Sequence, residues 1–382
     1  MRWAPRDPMY RLLRTFLLLR HVPLTGDATP DPPENWAALL PDLHTHRLRP
    51  LAYWVARELG AHPSDPIHAE LESAYYAAAL RYDHLSSSLA EIGGAFLSAG
   101  LPLIALKGSA LASRLYPHPA CRPMEDLDLL VRPHDLEAAS HTLASLGYSD
   151  KSFGIEDFRN PETGIVVDLH TELLNTTRIP SRRAAWRPAL DAWWDRARLL
   201  PSLPGVWAFD PQDHFVYLCH HAWLHHGLQR PLAFLDICLS LPEVAASQQR
   251  GVWLQREEWG SAARGLWYAL LSCQRRLGVV VPAGYGPVNA GPFEHIVHAS
   301  ATRGWLPELA RYGYLWLAIP PKERMKFLRQ LWSADRSVFT PGTCPRHTGK
   351  PPNRKQMLDL ATTVLYHSPP ERAKRGAREA AG

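Results

Sequence analysis

No stretch of this chain approaches eighteen uncharged apolar residues. The nearest, Leu12–Leu19, is broken by Arg14, so no transmembrane helix is expected. Arg6 and Asp7 come early and no small-residue cleavage site follows. No signal peptide is therefore expected, and the expected location is the cytoplasm. Cysteine is sparse: Cys121, Cys219, Cys238, Cys273 and Cys344 form an odd set, scattered and without a CxxC pair. That excludes a disulfide framework and a zinc ribbon, and predicts buried free thiols. There is no internal repeat and no sustained heptad. What the chain does have is a 46% hydrophobic fraction, which excludes wholesale disorder, and 382 residues, enough for two or three ordinary domains.

Strong charge of one sign is also missing from most of the chain. The net charge is +5, and residues 345–382 hold eight Lys/Arg against three acids, which accounts for all of it. Residues 1–344 are net neutral, so nucleic acid is not an expected partner of the body. The basic tail is expected to be a solvated, mobile extension.

Apolar periodicity divides the rest. Residues 1–98 read as a helical region, with helices at Tyr10–Arg20, Trp36–Leu40, Leu48–Leu59 and Pro66–Ser98. The last carries a stripe through Leu71, Tyr75, Ala78, Tyr82, Leu85, Leu89, Ile92 and Phe96, and Gly100 is its stop signal. Residues 99–205 read as a mixed α/β core. Its strands are expected at Leu103–Leu106, Asp126–Val131 and Gly164–His170, and its helices at Ala110–Tyr116 and Pro133–Leu146. Residues 206–344 read as helical again, at Phe215–Leu224, Leu232–Leu241, Arg264–Leu277 and Arg311–Leu317, with a Gly/Pro-rich loop at Gly278–Phe293. The tail has helix potential at Lys355–Tyr366.

The chemistry concentrates in the core. In a strand, Asp126 and Asp128 point to one face while Leu127 and Leu129 point into a core. Adjacent carboxylates repel unless a cation lies between them. Oxygen ligands of this kind suit Mg²⁺ or Mn²⁺ shared with substrate phosphates. Upstream, Lys107-Gly108-Ser109 stands where a strand meets a helix, a natural anion site. Downstream, Asp168 shares a strand face with Val166 and His170. A third carboxylate completes a site for two ions about 3.5–4 Å apart.

This constellation resembles the nucleotidyltransferase superfamily of the DNA polymerase β type: Gly108-Ser109 at a strand–helix turn, Asp126-x-Asp128, and a later Asp168. The gap from Ser109 to Asp126 is longer than in that superfamily's minimal members. More closely, the chain resembles the bacterial "uncharacterised nucleotidyltransferase" family. It does so through Leu106-Lys107-Gly108, Leu115-Tyr116, Arg122-Pro-Met, Asp126-Leu-Asp128-Leu-Leu-Val131, Leu146-Gly147-Tyr148 and Asp168-Leu-His170. The flanking helices, including the His-rich one and Leu235-Asp236, look similar too, so the resemblance spans roughly residues 8–330.

The resemblance implies an α+β fold: a small mixed-sheet core flanked by N- and C-terminal helical regions. It implies transfer of a nucleoside monophosphate from an NTP such as ATP, in the cleft between core and helices. Asp126, Asp128 and Asp168 would be catalytic and would hold two Mg²⁺ (or Mn²⁺) ions. Lys107, Gly108, Ser109 and Arg122 would bind the nucleotide, Arg122 on the triphosphate or bridged to Asp126. The acceptor would be a hydroxyl or phosphate of a small molecule, sugar or modified peptide, since such proteins tend to accompany exopolysaccharide and lasso-peptide biosynthesis. Two other readings stay open. One is a non-catalytic nucleotide-binding module. The other is a transferase that moves phosphate or sugar in peptide natural-product tailoring. Oligomeric state is not legible.

His214, His220, His221, His225 and His226 form a separate cluster. His221 and His225 lie at i, i+4, a spacing able to bind metal, but the Glu of a His-Glu-x-x-His site is missing and no third ligand is obvious. His170 and His221 are candidate cleft-lining residues. The tryptophans, among them Trp193, Trp194, Trp223, Trp253, Trp259 and Trp267, are expected as core or interface anchors.

Overall fold

The structure, a computed structural model, describes residues 7–26, 29–150, 157–174, 182–246, 262–281, 316 and 318–329. The expected helices at Arg311–Leu317 (Trp316 and Ala318 apart) and Lys355–Tyr366, most of the Gly278–Phe293 loop, the 345–382 tail, Cys344, Trp253 and Trp259 lie outside the described residues.

Four helices lead: α1 (Pro8–Leu19), α2 (Trp36–Thr45), α3 (Arg49–Glu58) and α4 (Asp65–Ser98). Asp7 caps α1 by accepting the Met9 amide at 2.9 Å, and Pro8 occupies a first-turn position that needs no donor. Asn35 caps α2 through the Ala38 amide. The α2 helix starts at Trp36 as expected and runs on from Leu40 through Pro41 to Thr45. An interior proline costs about 3 kcal/mol. Burying Leu39 and Leu43 completely is worth about 1.5–3 kcal/mol each and outweighs it.

The α4 helix is about 50 Å long and joins two hydrophobic cores. Its first half, through Leu71 and Tyr75, belongs to the core shared by the flanking helical regions. Its second half, Leu85, Leu89, Ile92 and Phe96, packs under the sheet. The approach is close at Gly93, where a Cβ would lie 2.5 Å from Val206 Cγ2, so a larger residue would push helix and sheet apart.

Among the described residues there are seven strands, β1 (Leu103–Ala105), β2 (Asp126–Leu130), β3 (Ser149–Asp150), β4 (Asp157–Arg159), β5 (Val166–His170), β6 (Arg198–Leu199) and β7 (Val206–Ala208). They form one mixed sheet in the order β3-β4-β5-β2-β1-β7-β6. The β2–β5 and β1–β7 pairs are parallel and the rest antiparallel. Helix α5 (Lys107–Leu115) follows β1, and α6 (Leu136–Ser145) follows β2. Helices α7 (Arg182–Ala185) and α8 (Leu190–Arg196) precede β6. β6 is only two residues long and β7 is apolar throughout, so neither shows the polar–apolar alternation that marks a strand, and the sheet reaches Ala208 without a sequence signal.

The C-terminal helices are α9 (Pro211–His220), α10 (Pro231–Ala246) and α11 (Ala262–Leu277). They share the first core with α1, and Arg14 Nη1 donates to Leu277 O at 2.8 Å. Cys121, Cys219, Cys238 and Cys273 are buried free thiols. Among the described residues, no helix is long and apolar enough to cross a membrane.

Candidate active site

The β1–α5 junction, β2 and β5 meet along one wall of a cleft of about 380 Å³, and the chain around His221–Asp236 forms the facing wall. The parallel β2–β5 ladder sets Asp128 directly opposite Asp168 and Asp126 opposite Val166. Leu127 and Leu129 are fully buried on the other face, as the alternation requires.

Asp128 is the hub. Lys107 Nζ donates to its Oδ1 at 2.5 Å, and His170 Nε2 lies 3.2 Å from the same oxygen and 3.2 Å from Asp168 Oδ2. Burial alone would raise the Asp128 pKa. The Lys107 charge and the His170 hydrogen bond overcome burial and hold the carboxyl well below the usual range. His170 responds in the opposite sense. Burial would neutralise it, but hydrogen bonds to Asp128 and Asp168 push it up to about 9. Lys107 is likewise held protonated by Asp128 against burial. Asp126 stands at the cleft mouth. The residue is exposed and lines the cleft, and desolvation, then Asp128 and Asp168, push its carboxyl up to about 6.

The local backbone is unusual where the cation is placed. Lys107 has φ 45°, in the left-handed region that a side chain rarely adopts, at a cost of about 1–3 kcal/mol. Gly108 has no room for a side chain: a Cβ would lie 2.1 Å from Arg122 Nη1 and 2.4 Å from Met124 Sδ.

Three expectations are corrected in detail. Ser109 does not line the cleft; its Oγ accepts the Asp128 amide at 3.2 Å and braces β2 against α5. Arg122 does not bridge to Asp126. Its Nε and Nη2 donate to both oxygens of Asp236 at 2.9 and 2.7 Å, and Tyr116 Oη donates to Asp236 Oδ1 at 2.7 Å. Only Nη1 is turned toward Gly108 and the cleft. His170 is not on the cleft wall either, because its bonds to Asp128 and Asp168 hold it buried behind them. His221 does line the cleft.

Asp236 was missed as a functional residue. Its signal was a lone acid in the apolar run Pro231–Leu241, since a charge in such a helix needs a buried partner. The named tryptophans that are described behave as anchors: Trp193 is fully buried and Trp194, Trp223 and Trp267 pack in the first core.

The donor set fits a hard divalent cation. Asp128, Asp168 and His170 each bring one ligand atom to within 4.8 Å of the others, and two of the three donors are carboxylates. Asp126 stands outside that triangle, at the mouth of the same cleft.

No curated protein and no solved structure matches the chain. A family model described as "Uncharacterised nucleotidyltransferase" matches residues 32–278, which contain both the sheet and the facing helices of the cleft. By that match over more than half its length, the chain belongs to the uncharacterised nucleotidyltransferase family.

Proposed function

We propose that the protein transfers a nucleoside monophosphate from an NTP to a hydroxyl or phosphate of a biosynthetic acceptor, a small molecule, sugar or modified peptide. The observation that carries this reading is the pairing of Asp128 with Asp168 across parallel strands, in one cleft with Asp126, Lys107 and Gly108. Asp126, Asp128 and Asp168 would hold Mg²⁺ or Mn²⁺, which when bound neutralises phosphate charge and polarises the α-phosphoryl group.

The chain's own residues do the rest. Gly108 lets the Arg122 guanidinium pack against the backbone at the start of α5. Lys107 Nζ and Arg122 Nη1 bring positive charge to the same wall, and Asp236 fixes the Arg122 guanidinium in place. Ser109 holds β2 so that its acids keep their register. Asp168 is placed to orient the acceptor oxygen and take its proton. His170 bonds to both Asp128 and Asp168 and limits their rotation. Positioning and charge neutralisation supply most of the acceleration in such a transfer.

The test is incubation with α-labelled NTPs, Mg²⁺ and a panel of acceptors, read by mass spectrometry for added nucleoside monophosphate. Asp126→Asn/Asp128→Asn should lose transfer while keeping the wild-type circular dichroism spectrum. Transfer at the wild-type rate by that variant overturns the proposal. Addition of a sugar or of phosphate alone would assign the fold to another group transfer. Mg²⁺-dependent NTP binding without transfer to any acceptor would make it a binding module.

A further inference from the structure

We propose a second metal site, built from His221, His225 and His226, that takes a divalent transition-metal ion of the zinc type. It does not rest on the reading above. It uses different residues and different donor chemistry on the facing wall of the cleft.

The helical geometry is the first observation. In an α-helix of 3.6 residues per turn, His225 lies about 40° from His221 around the axis, but His226 lies about 140° away. Only two of the three would then share a face. The chain instead leaves α9 in a single π-turn, His221–His225, in which the His226 amide bonds to the His221 carbonyl at 3.2 Å. The wider turn brings His226 round to the others. Insertions of this kind are costly to a helix and recur at functional sites. The third ligand that the i, i+4 spacing lacked is therefore supplied by the adjacent residue.

The distances are the second. All three ring pairs have centroids 4.6–4.7 Å apart, and one nitrogen of each ring lies within 4.8 Å of the other two; the His221 and His225 rings lie nearly parallel, at 12°, so one of them turns about its side-chain bonds to aim both lone pairs at a shared ion. His225 Nδ1 and His226 Nδ1 are 3.4 Å apart. Two nitrogens bound tetrahedrally at about 2.0–2.1 Å from one zinc ion stand about 3.3–3.4 Å from each other.

Electrostatics agree with the geometry. Three imidazoles this close cannot all be cationic. Neutral imidazole is the form that binds metal. An all-nitrogen donor set prefers Zn²⁺, Co²⁺, Ni²⁺ or Cu²⁺ to Mg²⁺, which the carboxylates opposite would take. Three protein ligands leave a fourth position for a bound molecule, and all three histidines line the cleft. The ligand class that suits it is an oxyanion, a phosphate or carboxylate of a molecule bound in the cleft.

The experiment uses the untagged full-length protein, stripped with chelator, and Co²⁺ as a coloured probe. Wild type should bind Co²⁺ with intense visible bands of four- or five-coordinate geometry, distinct from the weak bands of an octahedral ion held by carboxylates. His225→Ala/His226→Ala should weaken that binding by roughly 100-fold or more, whereas Asp128→Asn should leave it unchanged. Co²⁺ bound equally well by the histidine variant overturns the proposal, as does no binding by wild type. Equal weakening in both variants means a single shared site and overturns it too. Should the double variant not fold, diethyl pyrocarbonate labelling of wild type decides. One equivalent of Zn²⁺ should protect His221, His225 and His226, and unchanged labelling refutes the site.

Discussion

Replacing Asp236 with Asn tests how the C-terminal helices are fastened to the core. Asp236 projects from α10, while Arg122 and Tyr116 lie on the connection between α5 and β2. The Arg122 and Asp236 side chains are 11% and 4% exposed, so little water reaches either charge. Burial alone would lower the Arg122 pKa, and the Asp236 carboxylate beside it raises it instead. Asn keeps the shape but removes the charge and leaves a buried guanidinium uncompensated. Breaking a buried pair in this way costs about 3–5 kcal/mol. At about 2–4 °C per kcal/mol for a unit of 150–250 residues, the melting midpoint should fall by roughly 6–20 °C. Tyr116→Phe removes one hydrogen bond to the same charged acceptor and should cost about 1.5–3 kcal/mol. Because both changes act on one carboxylate, the double variant should lose less than the sum. Thermal and urea unfolding followed by circular dichroism give all three values. An Asp236→Asn protein within about 1 kcal/mol of wild type would refute the buried network as the fastening.

Two further outcomes are expected. Gly108→Ala drives a methyl into Arg122 Nη1 and Met124 Sδ, so it should abolish Mg²⁺-dependent nucleotide binding by displacing Arg122; calorimetry showing wild-type affinity would contradict this. Burial, then Arg114 and Arg122, hold His214 down to about 3, and neither of its ring nitrogens has a hydrogen-bond partner among the described residues. A depressed histidine leaves stability intact above its unfolded value of about 6.5 and removes it as pH falls from there toward 3. His214→Phe should therefore narrow the difference in urea midpoint between pH 7.5 and pH 5, and an unchanged difference would exclude His214 as a source of the acid sensitivity.

Much of the site was legible because its signals are local. Asp126 and Asp128 share a face by the two-residue period of a strand, and Gly108 stands where strand turns to helix. Helices α1, α3, α4 and α10 followed from apolar periodicity and turn residues to within a few residues, α10 excepted at its C-terminal end. The β6–β7 hairpin did not, because two and three residues are too short to show a period and Val206, Trp207 and Ala208 are all apolar.

The amino-acid sequence by itself determined the α+β division, the three aspartates, the Lys-Gly turn and the neutral body bearing a basic tail. Each is a matter of neighbours along the chain or of simple counting. Tertiary structure decided who partners whom. It drew Arg122 to Asp236, 114 residues away, set Asp128 against Asp168 and His170 across a parallel ladder, and wound His226 back beside His221. A buried charge must find its complement wherever the packed chain brings one, and sequence spacing carries no record of that distance.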